Sequence, residues 1–226
     1  MTLERPPHLR AELATALLFF VGLSPLYPLL DAIWPEGAPS VAPAYAVAPH
    51  DALYLLQVLA FLALTRRFRG ERWAELSMPR IVPGLDLCFG VFVFCAGYAI
   101  SVLLVYMVAT LPPLYDGRPG PPIVGPWPLV VIGLIGTTCV SVAEELFFRA
   151  YLLRRLTQLT GSAGQALLWS SLVFGAMHSY QGFWPPLQHA AWGFVLGSFV
   201  LLLGRVWPAA LAHVLQNFCI EALAAG

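Results

Sequence analysis

The chain has 226 residues, of which 59% are hydrophobic and 11% charged, with a mean hydropathy of +0.75. A soluble domain is roughly half apolar and a quarter charged, so this composition excludes a water-soluble globular protein, a disordered chain and a disulfide-rich secreted scaffold, and points to lipid as the solvent. Twelve Arg, with no Lys, balance twelve acids to a net charge of zero, which argues against a nucleic-acid partner.

Seven apolar segments follow one another, at about 11–30, 47–65, 84–111, 128–154, 163–180, 187–203 and 208–224. At 1.5 Å per helical residue each reaches across, or nearly across, a hydrocarbon core of about 30 Å. No period-two alternation competes with the helical reading. The expected fold class is therefore all-α, a polytopic transmembrane helix bundle of about seven spans, with residues 1–226 forming a single integral-membrane domain. The first segment has the basic flank of a signal peptide, but its apolar run is too long and Ala44-Tyr45-Ala46 stands too far beyond it for a cleavage site, so it is expected to be retained. Arg-rich connections (Arg66, Arg67, Arg69, Arg72 and Arg80; Arg154 and Arg155; Arg205) alternate with Arg-poor ones. By the positive-inside rule the N-terminus is cytoplasmic and the C-terminus is not. The stretch from Leu111 to Pro128 is rich in Pro and Gly and reads as a stiff external loop. The four cysteines form no C-x-x-C pair and read as small apolar residues.

Most ionisable residues fall in loops or at segment edges; Asp86 and Glu221 stand near ends, within reach of headgroups. Glu144, Glu145 and Arg149 break the pattern, since all three lie inside the fourth segment (SVAEELFFRAYLLRR), where a charge costs about 2.5–3.5 kcal/mol. Glu145 and Arg149 have the i,i+4 spacing of an ion pair, Glu first, and read as structural. Glu144 points about 100° away around the helix and has no such local partner. Polar groups on other segments are available to it: His178 late in the fifth, and His213 with Asn217 on one face of the seventh. Counted from the same membrane side, Glu144, Asn217 and His178 lie at depths of about 15, 13 and 22 Å, compatible with one site in mid-membrane. His189, near a helix start, reads as non-catalytic, and Gly193-x-x-x-Gly197 as a close helix contact.

Three patterns on successive segments, Glu144-Glu145-x-x-x-Arg149, Phe174-x-x-x-His178 and His213-x-x-x-Asn217, resemble the motifs of the CPBP family, the CAAX proteases and bacteriocin-processing enzymes also called Abi or type II CAAX prenyl endopeptidases. The resemblance covers about residues 128–220, the expected catalytic core. It implies an intramembrane glutamic endopeptidase without cofactor or metal. Glu144 would be the general base that activates water, and His178 would hold that water. His213 and Asn217 would donate to the oxyanion, and Glu145 and Arg149 would support Glu144. The implied partners are membrane lipid and a peptide or protein substrate, with a C-terminal sorting tag or a peptide precursor as examples. The Lys-free, Arg/Ala/Pro-rich composition points to a bacterial cytoplasmic (inner) membrane. Three alternatives remain open on the residues alone: zinc held by the same Glu/His set, a non-catalytic bacteriocin-immunity or scaffold protein, and a proton-relay transporter, the last without a visible inverted repeat.

Overall fold

The structure is a computed structural model that describes residues 8–21, 44–109, 124–181 and 184–224. These residues are mostly helical, with no strand among them, and form seven successive helices joined in places by short 3-10 turns. They are α1 (Leu9–Phe20), α2 (Ala44–Arg69), α3 (Pro83–Ala109), α4 (Trp127–Thr160), α5 (Ala163–Met177), α6 (Trp184–Leu203) and α7 (Trp207–Ala224). Over the described residues the seven helices coincide with the seven apolar segments. Four of them, α2, α3, α4 and α6, are long and apolar enough to cross a membrane. The second half of the first segment and most of the Pro/Gly-rich loop lie outside the described residues.

Local sequence sets the boundaries. α3 opens on Pro83, whose missing N–H is no loss in a first turn. α4 ends where Gly161 takes a left-handed conformation (φ 73°) and returns its N–H to Thr157 O at 2.9 Å. Ser162 then caps α5 by accepting from the Gln165 N–H at 3.3 Å.

The solvent pattern of a soluble protein is inverted. Large apolar side chains such as Leu56, Phe92, Ile135 and Leu202 face outward, while Glu145, Arg149, Ser141, Thr137 and His213 are buried. This is the arrangement that lipid demands. α2 runs parallel to α4, with Ala44 against Gly133 and Ala48 against Gly136. α7 runs antiparallel to α4, and α6 antiparallel to α5.

The Arg-bearing connections gather at one end of the bundle. Arg155, fully buried, donates to Glu12 of α1 (2.9 Å) and to both oxygens of Glu71 (2.8 and 2.7 Å). Glu12 also receives Arg69 Nε (2.7 Å) and the Tyr151 hydroxyl (2.9 Å). Burial alone would raise the Glu71 carboxyl, but Arg155, with Arg154 and Arg69, holds it below the ordinary glutamate value. At the same end, Asp86 does not reach for headgroups. It is 6% exposed and takes both Nε and Nη2 of Arg205 at 2.7 Å, together with the Val82 N–H. The bidentate fork satisfies a carboxylate that would otherwise be stranded in an apolar bundle.

Candidate active site

α4 carries the acids, and its helical form changes directly after them. From Leu146 to Leu152 the helix widens into a π-turn whose seven residues are all buried. Phe148 O then accepts from Leu153 N, five residues on, and also from Ser170 Oγ of α5 at 3.1 Å. π-turns recur at functional sites because they re-aim the side chains around them. Here the turn begins one residue after Glu145 and includes Arg149. Nothing in the apolar periodicity of LFFRAYL signals it.

Glu145 and Arg149 form the expected pair, with Nε 3.2 Å from Oε2. The pair is not self-contained. Glu145 Oε1 lies 2.9 Å from His213 Nδ1 on α7. A carboxylate paired with Arg only accepts, so His213 Nδ1 carries a proton. The other ring nitrogen, Nε2, lies 3.6 Å from Glu144 Oε2. His213 thus stands between the two adjacent glutamates, a role for Glu145 that the i,i+4 reading missed. The pattern could have suggested it, since a carboxylate has about four lone-pair sites and one Arg does not use them all.

Toward the start of α4 the antiparallel helices stay in register. Four residues back on α4 and four forward on α7, Asn217 Nδ2 donates to Ser141 Oγ at 3.0 Å. Another four each way, Thr137 Oγ1 donates to Glu221 Oε2 at 2.7 Å. Glu221 therefore faces α4 within the bundle and not the headgroups. Ser141 and Thr137 had no signal of their own, because small hydroxyl residues are common in membrane helices.

His178 arrives from another direction. It directly follows the last residue of α5 and is 7% exposed, with Nδ1 2.9 Å from Phe174 O. Its ring lies parallel to that of His189 from α6, centroids 3.7 Å apart and planes at 12°. Phe174 is the common neighbour. Its ring centroid is 4.9 Å from the His178 ring, 6.0 Å from His189 and 5.9 Å from His213, and the Arg149 guanidinium lies 4.2 Å over it. One phenyl ring therefore contacts side chains from α4, α6 and α7 as well as His178. The cation–π contact matters because Nη1 and Nη2 of Arg149 have no hydrogen-bond partner among the described residues. Gly193 makes room for it, since a Cβ there would come 2.9 Å from Arg149 Nη2 and 3.0 Å from Phe174 Cδ1.

Of the six residues singled out in the sequence, Glu144, Glu145, Arg149 and His213 form one chain of contacts. Asn217 sits one turn along the same α4–α7 seam, and His178 joins through Phe174. Among the described residues no group of three or more His, Cys, Asp or Glu is arranged to hold a metal ion.

Residues 126–219 match the family model for type II CAAX prenyl endopeptidases of the Rce1-like kind, which agrees with the CPBP family that the three motifs resemble. The match spans α4 to α6 and most of α7 and includes all six residues. At the level of the family the match indicates a CAAX-type protease, a peptide-bond hydrolase, and together with the four long apolar helices it fits an integral membrane protein. A peptide substrate is what such a protease requires. No curated protein and no solved structure matches the chain.

Proposed function

We propose that the protein is an intramembrane endopeptidase in which Glu144 activates a water for attack on a peptide carbonyl. The observation that carries the reading is the Glu144–His213–Glu145–Arg149 chain, with contacts of 3.6, 2.9 and 3.2 Å. Once His213 holds a proton on both ring nitrogens, two carboxylates, one imidazolium and one guanidinium sum to zero charge. The set is thereby tolerable in a low-dielectric interior while leaving one acid, Glu144, unpaired by Arg.

Each group then has a task. Glu144 accepts a proton from water as its oxygen bonds to the carbonyl carbon. His178, with Nδ1–H engaged by Phe174 O, presents a lone pair at Nε2 to the second water proton and so orients the nucleophile. His213 donates to the developing oxyanion through Nε2–H, and Glu145 stabilises the imidazolium that this requires. Asn217 has two N–H bonds; Ser141 takes one, and the other is free for the oxyanion. Protonated Glu144 returns its proton to the leaving nitrogen as the tetrahedral intermediate collapses, giving a carboxylic acid and an amine.

The end that gathers Arg69, Arg154, Arg155 and Arg205 is read as cytoplasmic by the positive-inside rule, which places the N-terminus there in a bacterial inner membrane. Substrates would be membrane-associated peptides, such as C-terminal sorting tags or peptide precursors. The test compares membrane-protein termini by mass spectrometry between cells carrying the wild-type chain and cells carrying Glu144→Gln. New termini present only with the wild type are expected. Identical sets in the two strains would contradict the proposal.

A further inference from the structure

His178 is buried, but it stands at a helix end. It follows the last residue of α5, where the helix backbone no longer restrains the side chain, and its ring is held on one edge by the Phe174 carbonyl at 2.9 Å. One hydrogen bond leaves the ring plane undetermined. Of the rings packed against it, that of His189 is the nearest and flattest, at 3.7 Å and 12°, against 4.9 Å for Phe174 and 6.3 Å for Tyr180. His189 is itself fixed, because its Nδ1 lies 2.7 Å from the carbonyl of Pro185 in the first turn of α6. A carbonyl only accepts, so both Nδ1 atoms carry protons, and in each neutral ring the lone pair falls on Nε2.

The helix approach that permits this stack is built into the sequence. α5 and α6 meet at Gly175, where a Cβ would lie 2.2 Å from Pro186 O and 2.8 Å from Ala190 Cβ. No larger residue fits there without separating the two helices at the level of the two rings. Charged and titratable groups from other elements also approach: Arg149 of α4 and His213 of α7 meet Phe174, on which His178 rests, and Tyr180 stacks at 6.3 Å.

We infer that His189 is a positioning residue for His178: the stacked ring fixes the plane of the His178 ring and so keeps its Nδ1–H on the Phe174 carbonyl, the tautomer in which Nε2 presents its lone pair to the water. The inference rests on the reading of His178 as the group that orients that water. His189 lies outside the three motifs, and only the α5–α6 packing brings it to the site.

The test uses the full-length protein in detergent or nanodiscs, with His189→Ala and His189→Phe. Phe keeps a flat ring for the stack and removes the imidazole. The ¹⁵N spectrum of histidine-labelled protein reads the His178 tautomer without any substrate. In the wild type His178 is expected as the single Nδ1–H tautomer, in His189→Ala as a mixture, and in His189→Phe again as the single tautomer. On a cleaved peptide, His189→Ala is expected to lower kcat by about tenfold with KM within about twofold, and His189→Phe to restore most of the loss. An unchanged His178 tautomer in His189→Ala overturns the inference, as does a kcat loss that Phe does not relieve. If no peptide is cleaved by any form, the function proposal fails, while the tautomer measurement still decides the role of His189.

Discussion

Glu145 Oε1 lies 2.9 Å from Nδ1 of His213, on the opposite side of the imidazole from the nitrogen that faces Glu144. In the proposed mechanism the adjacent acids therefore do different work: Glu145, anchored by Arg149, fixes the His213 tautomer and supports a positive charge, while Glu144 exchanges a proton.

That division predicts a coupling. Removing one member of a buried pair leaves an uncompensated charge and typically costs about 3–5 kcal/mol, whereas removing both costs less. Arg149→Met is expected to destabilise the protein by that amount, and Glu145→Gln/Arg149→Met by less than the sum of the single changes. Thermal unfolding in a fixed detergent, analysed as a double-mutant cycle, measures the coupling. Strict additivity would show that the pair is not a unit. Glu145→Gln alone is also expected to lower kcat on the order of a hundredfold, because the imidazolium loses its counter-charge.

The α4–α7 register predicts a smaller effect at Ser141. With Ser141→Ala the Asn217 amide loses the acceptor that holds it at 3.0 Å. A hydrogen bond is worth about 1 kcal/mol net, so kcat should fall roughly fivefold with KM little changed. A rate equal to the wild type would mean that Asn217 needs no such hold.

Gly193 is predicted to be intolerant. An Ala methyl there must displace the Arg149 guanidinium or the Phe174 ring, and overpacking of this kind costs about 1–3 kcal/mol. Gly193→Ala should lower both the unfolding temperature and kcat. The neighbouring Ala191→Ser, in a partly buried position on the same helix, serves as the control. Equal behaviour of the two variants would contradict the assigned contact.

The Arg-bearing end predicts an acid sensitivity. Glu71 has its pKa held below the ordinary glutamate value by Arg155 against the opposing effect of burial. Its contribution to stability is therefore complete above about pH 4.3, the value in an unfolded chain. It is lost as pH falls through the lower folded value. Thermal unfolding between pH 7 and 3.5 should show a drop at the acid end that is reduced in Glu71→Gln, which is less stable at pH 7. Parallel curves for the two proteins would remove Glu71 from the account.

Much of this was legible in the sequence because lipid makes charge expensive. Twelve acids and twelve bases in 226 residues leave few reasons for Glu144, Glu145 and Arg149 to share one apolar run, and the helical period then separates the acids by angle. Hydropathy likewise located all seven helices, to within about six residues wherever both ends are described. What stayed hidden depends on packing between helices. The π-turn after Glu145 is a property of how α4 meets α5, with Ser170 serving the Phe148 carbonyl. The His178–His189 stack requires the close approach at Gly175. Asp86 and Glu221 looked like headgroup contacts because both stand near segment ends. Their partners, Arg205 and Thr137, are 119 and 84 residues away in the chain, beyond any local pattern.

The most direct measurement is turnover of a cleaved peptide by purified wild-type protein and by Glu144→Gln, with matched folding confirmed by unfolding temperature. A carboxylate that takes the proton from water cannot be replaced by an amide, so kcat should fall by about 10²–10⁴-fold with KM nearly unchanged. Cleavage by Glu144→Gln at the wild-type rate would show that this side chain is not the base.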